Sequence, residues 1–272
     1  MLASRAFKKI MTNELVEYSV EQGIAVLALN DPPANTYSYE MMKALDDLIL
    51  KARFDPAVSV LILTGKGDKF FCAGANIKML TSVTPEFKYY FCLHANETLN
   101  RLEQTSKYVI AALNGHCVGG GLEVALAADV RIARKGGGKI GLPEVNLGVL
   151  PGTGGTQRLS RVVGKSKAIE MMALGRTFEF EEGLSNGLIN HIFDSENFWA
   201  DVISYARQFV PPAKASKAVG RIKRAVQTGI ELPFQDALAL ERELQQQLFE
   251  CEDAAEGLKA YLEKRRPEFK GK

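Results

Sequence analysis

Residues 114–129 read NGHCVGGGLEVALAAD, and three consecutive glycines in this stretch run directly into the apolar pattern of a helix. Glycine loses more backbone entropy on folding than any other residue, so a run of three needs a physical reason. Glycines that open a helix bind phosphate, form a hole for a developing oxyanion, or let a strand and a helix pack closely. The choice between these uses decides how the rest of the sequence is interpreted.

The phosphate interpretation fits the glycine spacing poorly. A dinucleotide fold needs the pattern G-x-G-x-x-G, and Cys117 and Leu122 stand where this stretch would need glycine. A second glycine-rich stretch, GTGGTQRL at 152–159, also misses that pattern and the G-x-x-x-x-G-K-S/T of nucleotide-binding loops. Close packing and an oxyanion hole therefore remain.

A second loop favours the oxyanion hole. Residues 70–80, FFCAGANIKML, form a loop of small residues directly after the apolar strand VSVLILTG at 58–65. If that strand lies beside YVIAALNG at 108–115, each loop can direct one backbone N–H at the same carbonyl oxygen. Loss of one such donor typically costs about 10²–10³ in rate at an acyl site. Neither loop is specific alone, but the pair indicates acyl chemistry.

Around these loops the sequence alternates between strand and helix patterns, and short helices that end at glycines follow Leu150. From Ser195 onward only helices are expected. No linker rich in Pro, Gly or Ser separates the two parts. We therefore expect a core over 14–194 and a helical region of the same domain over 195–272, preceded by a disordered leader over 1–13.

Composition excludes several classes of protein. The 272 residues are 46% apolar and 24% charged, and a net charge of +2 is too small to indicate nucleic acid or an acidic membrane surface. No apolar run approaches the roughly 20 residues of a membrane-spanning helix. Four scattered cysteines and three scattered histidines indicate neither a disulfide framework nor a metal site. We therefore expect no metal ion and a reducing compartment, the cytoplasm or, for a eukaryotic chain, the mitochondrial matrix.

Five motifs resemble, in the same order, the crotonase or enoyl-CoA hydratase/isomerase family, in a resemblance that covers nearly the whole chain. They are CAGANIK (72–78), NGHCVGGGLEVALAADVRIA (114–133), GLPEVNLGVLPGTGGTQRLSRVVG (141–164), GLINHIF (187–193) and EGLKAYLEKRRPEFKGK (256–272). The resemblance implies an α/β fold, a crotonase-like spiral of β-β-α units with perpendicular sheets followed by a C-terminal helical trimerisation region. It also implies a coenzyme A thioester as substrate and no separate cofactor.

The family's oxyanion donors correspond to the backbone N–H groups of Ala75 and Gly120. The glycines would then let a thioester carbonyl approach the first turn of a helix, whose dipole favours the negative charge of an enolate. This interpretation answers why the glycines are there.

Two glutamates coincide with the pair found in the family's hydratases: Glu123, three residues after Gly120, and Glu144 in GLPEV. Isomerases of the family keep the acid like Glu144 and lack the other, so the pair favours hydration. Adding water to a 2-enoyl thioester needs a base for the water and an acid for C2. A helix dipole favours a carboxylate at Glu123, and apolar neighbours favour a neutral acid at Glu144. We therefore expect Glu123 as the main base and Glu144 as the proton donor.

The resemblance assigns the rest of the ligand to other positions. The backbone of Ala75, Asn76, Ile77 and Lys78, with the Lys78 side chain, would surround adenine and pantetheine, and Gly152 would add an N–H near the water. Tyr261 and Lys264 match positions that reach a neighbouring subunit's coenzyme A, although a merely solvated helix face explains them equally well. Asn76 replaces the family's usual aspartate, which we expect to weaken a loop hydrogen bond.

Three alternatives stay open. The first is an isomerase, or a hydratase of a branched or alicyclic enoyl thioester, whose acyl end residues 79–91 would line. The second is an RNA-binding homologue, which needs clustered Lys and Arg, whereas the helix at 39–53 is balanced in charge. The third, a scaffold with a dead site, is disfavoured by the two glutamates and two loops. We expect an acyl-CoA substrate, a homotrimer or hexamer, and no nucleic acid or membrane partner.

Overall fold

Strands and helices alternate along the part of the chain that the structure describes. The computed structural model describes residues 9–12 and 14–272. In chain order the strands are β1 (Lys9–Thr12), β2 (Val16–Glu21), β3 (Ile24–Leu29), β4 (Val60–Gly65), β5 (Phe70–Cys72), β6 (Tyr108–Leu113), β7 (His116–Val118), β8 (Val130–Arg134), β9 (Lys139–Gly141), β10 (Phe178–Glu179) and β11 (His191–Phe193). The α-helices are α1 (Tyr39–Phe54), α2 (Ile77–Ser82), α3 (Pro85–Glu103), α4 (Gly120–Leu126), α5 (Gly155–Val163), α6 (Lys165–Leu174), α7 (Phe180–Ser185), α8 (Phe198–Arg207), α9 (Ser216–Gly229), α10 (Phe234–Phe249) and α11 (Glu252–Leu262). A short 3-10 helix covers Glu144–Leu147.

Successive β-β-α units divide their strands between two sheets. The large sheet has the order β1-β2-β3-β4-β6-β8-β11, and the small sheet has the order β10-β9-β7-β5. In the units β4–β5, β6–β7 and β8–β9, the first strand joins the large sheet and the second joins the small one. The α/β spiral followed by C-terminal helices is therefore confirmed.

The two strands that precede the glycine-containing loops are neighbours. β4 and β6 pair in parallel, with Val60 opposite Tyr108 and Leu63 opposite Ala111. β4 is buried at all six positions, as expected of a parallel strand covered on both faces. Because parallel neighbours end at the same edge of a sheet, the loops that follow them leave the sheet side by side. The condition on which the two-loop oxyanion hole depends, that these strands are neighbours, is therefore met.

Apolar side chains cover both faces of the large sheet. The main core fills the space between the sheets and the helices packed on them. On the opposite face, Phe198, Val202 and Ala206 of α8 pack against Ile62 and Ile110. Burying each large apolar side chain typically contributes about 1.5–3 kcal/mol. The helical region thus begins by sharing the core of the sheet.

The leader expected to be disordered over residues 1–13 is ordered in part. Lys9–Thr12 form β1, antiparallel to β2, with Thr12 opposite Glu17. An edge strand presents unpaired N–H and C=O groups, and β1 satisfies those of β2. The basic composition of the leader gave no sign of this pairing. Residues 1–8 and 13 lie outside the described residues.

A buried ion pair connects α9 to the segment between α4 and β8. The Lys223 ammonium lies 3.0 Å from the Asp129 carboxylate, and only 5% of the lysine side chain is exposed. The Val109 amide and the Gln227 side chain also donate to Asp129, at 2.7 Å and 3.2 Å. Each charge therefore has compensating partners where little of either side chain is exposed. Within the described residues, no helix combines the length and apolar character needed to span a bilayer.

Replacing Lys223 with alanine leaves the Asp129 carboxylate buried without its cation. Removing one partner of a buried pair typically costs about 3–5 kcal/mol, and we expect a loss of that size in the free energy of unfolding, measured by urea denaturation. Lys135→Ala is the control, because Lys135 and Asp194 pair while 66% and 77% of their side chains stay exposed. Such pairs are worth about 0–1 kcal/mol. Equal losses in both variants would contradict this account of the buried pair.

Candidate active site

Glu123 is a buried carboxylate held by the loop that leads into α5. The residue lies in α4 and is 2% exposed. Its Oε1 accepts hydrogen bonds from the Thr153 amide at 2.7 Å and the Gly155 amide at 2.8 Å. The Thr153 hydroxyl bonds to its Oε2. Donors that meet an ionised carboxylate make stronger bonds than neutral pairs, and the start of α5 adds the positive end of a helix dipole. The site is therefore built to hold a negative charge here.

Glu144 occupies a different environment. It begins the 3-10 helix, and its Oε1 lies 3.1 Å from the position that a Cβ on Gly119 would occupy. Its Oε2 is buried without a hydrogen-bond partner among the described residues. Burial raises the pKa of Glu144 to about 7, and the charge of Glu123 adds to the effect. The neutral form of Glu144 is thus favoured up to near-neutral pH.

The glycine run packs against two other chain segments. A Cβ on Gly120 would lie 2.1 Å from the Tyr37 hydroxyl oxygen, and a Cβ on Gly121 would lie 2.0 Å from the Cys72 carbonyl oxygen. Real Cβ atoms do not approach other atoms so closely. Close packing, one of the two interpretations left open by the spacing, therefore applies at these positions. It does not compete with ligand binding, because the amides of the same residues remain available.

The amides of Ala75 and Gly120 lie in adjoining loops. The Tyr37 amide donates to the Gly74 carbonyl at 2.9 Å, and the Asn76 amide donates to the Tyr37 carbonyl at 2.9 Å. This bridge pairs Tyr37 with Ala75 and leaves the Ala75 amide unused. The Gly120 amide lies 2.8 Å from the Cβ position of Gly74. Within residues 14–272, neither the Ala75 nor the Gly120 amide has a protein acceptor, so both stay candidates for an oxyanion hole.

The loop after Ala75 leads into α2. The Asn76 side chain caps this helix by accepting from the Met79 amide at 3.1 Å, and its Nδ2 lies 3.4 Å from the Thr36 hydroxyl. The Asn76 side chain thus makes hydrogen bonds within this loop. Ile77 and Lys78 are exposed at the start of α2, where a ligand can reach them.

Gly152 is anchored against α3. Asn96 Nδ2 donates to its carbonyl at 3.5 Å, and Cys92 Sγ lies 3.2 Å from its Cβ position. Its neighbour Thr153 holds Glu123. The loop that contains Gly152 therefore adjoins the buried carboxylate. A Gly152 amide placed near the water molecule to be added stays a prediction.

Tyr261 and Lys264 lie at the exposed end of α11. Tyr261 is 84% exposed, and the Lys264 amide donates to its carbonyl at 3.2 Å. No hydrogen bond or ion pair of the described residues joins either of them to the residues around Glu123. The single chain does not bring them to the site, so a contact with a neighbouring subunit's ligand stays a prediction.

Two residues of the site were not predicted from the sequence. Thr153 lies inside the GTGG stretch, where only Gly152 was singled out, and Tyr37 precedes α1 in a segment without a recognisable motif. Their hydroxyl oxygens lie 2.9 Å apart. Thr153 had a weak signal, a hydroxyl beside a glycine predicted to meet water. Tyr37 had none.

Comparison with known proteins gives consistent results. The enoyl-CoA hydratase/isomerase family model matches residues 19–272. A probable enoyl-CoA hydratase of Bacillus subtilis is 36% identical over 94% of this chain and 98% of its own length. A short-chain-enoyl-CoA hydratase of Clostridium acetobutylicum is also 36% identical, over 91% of this chain and 94% of its own. The crystal structure of an enoyl-CoA hydratase from Bacillus anthracis superposes with a TM-score of 0.90 at 31% identity, covering 95% of this chain and all of the other.

The raised pKa of Glu144 predicts a pH-dependent effect on stability. Its pKa moves from 4.5 to about 7 on folding, so the folded protein binds an extra proton between these values. The resulting stabilisation is full below the unfolded value and is lost as the pH rises through about 7. Glu144→Gln removes the ionisation, and we expect its urea midpoint to rise relative to wild type at about pH 8.5 but not at about pH 5.

The matched control is Glu170→Gln, which changes an exposed glutamate of α6. It should show the same difference from wild type at both pH values. A Glu144→Gln effect that is equally independent of pH would contradict the assigned environment of Glu144.

Proposed function

The chain belongs to the enoyl-CoA hydratase/isomerase family, and from this premise we propose that it is an enoyl-CoA hydratase. It adds water across the 2,3 double bond of a 2-enoyl-CoA thioester and gives a 3-hydroxyacyl-CoA. The observation that carries the proposal is the unequal pair of carboxyls, since Glu123 accepts hydrogen bonds from two amides whereas burial raises the pKa of Glu144 to about 7. The relatives that carry the name enoyl-CoA hydratase support the same reaction.

In the proposed mechanism one glutamate takes a proton from water and the other gives its own proton to the substrate. Glu123 takes a proton as the water oxygen forms its bond to C3, and the Thr153 and Gly155 amides keep the carboxylate oriented. The π electrons of the double bond move onto the thioester oxygen, and Glu144 then delivers its proton to C2. The cycle ends with Glu123 protonated and Glu144 ionised, and proton exchange with solvent restores the starting state. General acid–base steps of this kind contribute about 10²–10⁴ each.

The thioester oxygen needs donors while it carries the enolate charge. The Ala75 and Gly120 amides fit this role, because they lie in adjoining loops and have no protein acceptor within residues 14–272. Donors fixed before the reaction need no reorganisation as charge develops. Ile77 and Lys78, which are exposed at the start of α2, would contact the pantetheine and adenine of coenzyme A.

An isomerase is the alternative within the family. Moving a double bond from C3 to C2 needs one group to shift a proton, for which Glu144 suffices. A second carboxylate that is buried and held by two amides and a hydroxyl favours hydration, because the added water requires its own base.

We also propose that the chain assembles through its C-terminal helices as a homotrimer or a dimer of trimers. Ile222 and Val226 of α9 and Ile230, directly after the helix, follow one another at a spacing of four residues and are 63%, 58% and 68% exposed. They line a cavity of about 970 Å³ together with Phe269. Exposed apolar surface of this kind is typical of subunit interfaces.

Hydration of crotonyl-CoA tests the reaction. With purified wild-type protein, the absorbance of the enoyl thioester should fall as the double bond is hydrated. Glu123→Gln and Glu144→Gln should each lower kcat by about 10²–10⁴-fold. Glu170→Gln is the control and should keep full activity. In oxygen-18 water the product should carry one labelled hydroxyl. Conversion of a 3-enoyl-CoA to the 2-enoyl isomer without uptake of label would instead assign an isomerase.

Sedimentation velocity tests the assembly. Wild type should sediment as three or six protomers, and Val226→Asp should shift the distribution toward smaller species, because a buried unpaired carboxylate opposes association. Lys217→Gln, which also lowers the net charge by one at an exposed position earlier on the same helix, controls for the change in charge. A monomeric wild-type protein at micromolar concentration would refute the proposed assembly.

A further inference from the structure

Tyr37 connects both parts of the candidate site. Its hydroxyl lies 2.9 Å from the Thr153 hydroxyl, which in turn bonds to Glu123 Oε2. Its ring is 2% exposed, and its hydroxyl fills the space beneath Gly120, where a Cβ would come within 2.1 Å. Its main chain makes the bridge to Ala75. One residue outside the recognised motifs therefore reaches the base through Thr153, one oxyanion loop through its side chain and the other through its main chain.

An ionised Glu123 carboxylate determines the direction of the two hydrogen bonds that join Tyr37, Thr153 and Glu123. A carboxylate only accepts hydrogen bonds, so the Thr153 hydroxyl must donate its single proton to Glu123 Oε2. The Thr153 oxygen is then free to accept, and the Tyr37 hydroxyl must be the donor in the second bond. The order Tyr37 to Thr153 to Glu123 is thus fixed while Glu123 carries its charge.

Tyr37 remains protonated in this setting. Burial, together with the charge of Glu123, raises its pKa well above the ordinary tyrosine value. The phenol is therefore a permanent donor rather than a base. Hydrogen bonds in a chain polarise one another, so a donor to Thr153 strengthens the bond from Thr153 to the carboxylate.

We propose that Tyr37 is a positioning residue for Glu123, which fixes the Thr153 hydroxyl as a donor and so holds the carboxylate in the orientation and ionised form in which it takes a proton from water. The inference rests on the proposed hydratase function and names a residue that this reaction depends on. It assigns to Tyr37 no contact with the reacting atoms.

Other titratable groups lie around the hydrogen bonds that join Tyr37, Thr153 and Glu123. Glu144 faces Glu123 from the 3-10 helix, and Cys72 of β5 and Cys92 of α3 act on Tyr37. Arg158 of α5 donates to the Thr153 carbonyl at 3.4 Å, and Lys88 of α3 lies beside Cys92 and Gly152. Tyr37→Phe leaves all these groups in place, so the variant isolates the phenol hydroxyl.

The test compares Tyr37→Phe with Tyr18→Phe. Tyr18 is also buried, and its hydroxyl has no partner among the described residues, so its removal controls for the loss of a buried phenol oxygen. For Tyr37→Phe we expect a kcat about tenfold lower at unchanged KM, the effect typical of one lost hydrogen bond in a charged network. The acid limb of the kcat/KM profile should move to higher pH, because a carboxylate that loses donor strength protonates more readily. Tyr18→Phe should change neither quantity.

Variants at Thr153 test the second hydrogen bond, from Thr153 to Glu123. Thr153→Ser keeps the hydroxyl, so its acid limb should stay at the wild-type pH whatever its rate, whereas Thr153→Val should shift the acid limb in the same direction as Tyr37→Phe. A Tyr37→Phe enzyme that loses stability or activity with an unmoved acid limb would have lost only packing, and the proposal would be wrong.

A second measurement does not depend on activity. The Thr153 and Gly155 amides donate to Glu123, so their nitrogen-15 NMR resonances respond to the protonation of the carboxylate. In Tyr37→Phe this pH response should move to higher pH. If it does so while wild type fails to hydrate crotonyl-CoA, the positioning role stands and the hydratase proposal fails. If wild type is active and the response does not move, the positioning role fails alone.

Discussion

The charge of Glu123 inside the core is the constraint on which the site depends. A buried carboxylate without compensation is costly enough to neutralise or to unfold its surroundings. Here the compensation comes from the short segment 153–155, which supplies two amides and a hydroxyl. Gly155 is required there, since a Cβ would lie 3.0 Å from Glu123 Oε1. The glycine-rich loop before α5 therefore supplies the hydrogen bonds that water would otherwise give this carboxylate.

Sheet topology brings the second half of the site to the same place. Because β4 and β6 are parallel neighbours, the chain after each leaves the large sheet at one edge and adds a strand to the small sheet. β5 and β7 pair there, with Cys72 opposite Cys117. The candidate oxyanion amides follow these strands directly. Hence backbone geometry, rather than side-chain chemistry, sets their separation, and the glycines are needed for the loops to come so close.

The sequence predicted those parts of the site that local pattern controls. The two glycine loops, Glu123 and Glu144 each stand in a short motif, and parallel pairing of buried apolar strands could be expected from their composition. Tyr37 could not be found in this way, because its partner Thr153 lies 116 residues away and neither has a periodic or spacing signal. The strand β1 was missed for a related reason, since its pairing satisfies the edge of β2 rather than an apolar pattern of its own.

The different roles proposed for two identical side chains follow from their surroundings. Glu123 Oε1 alone receives two amide donors, whereas Glu144 Oε2 is buried with none among the described residues. Donors to a carboxylate favour the charged form, and desolvation favours the neutral form. The charge fixed on Glu123 also raises the pKa of Glu144, so an acid beside a base is more stable here than two acids or two bases. An ionised Glu123 therefore helps to keep Glu144 in the neutral form that a proton donor needs.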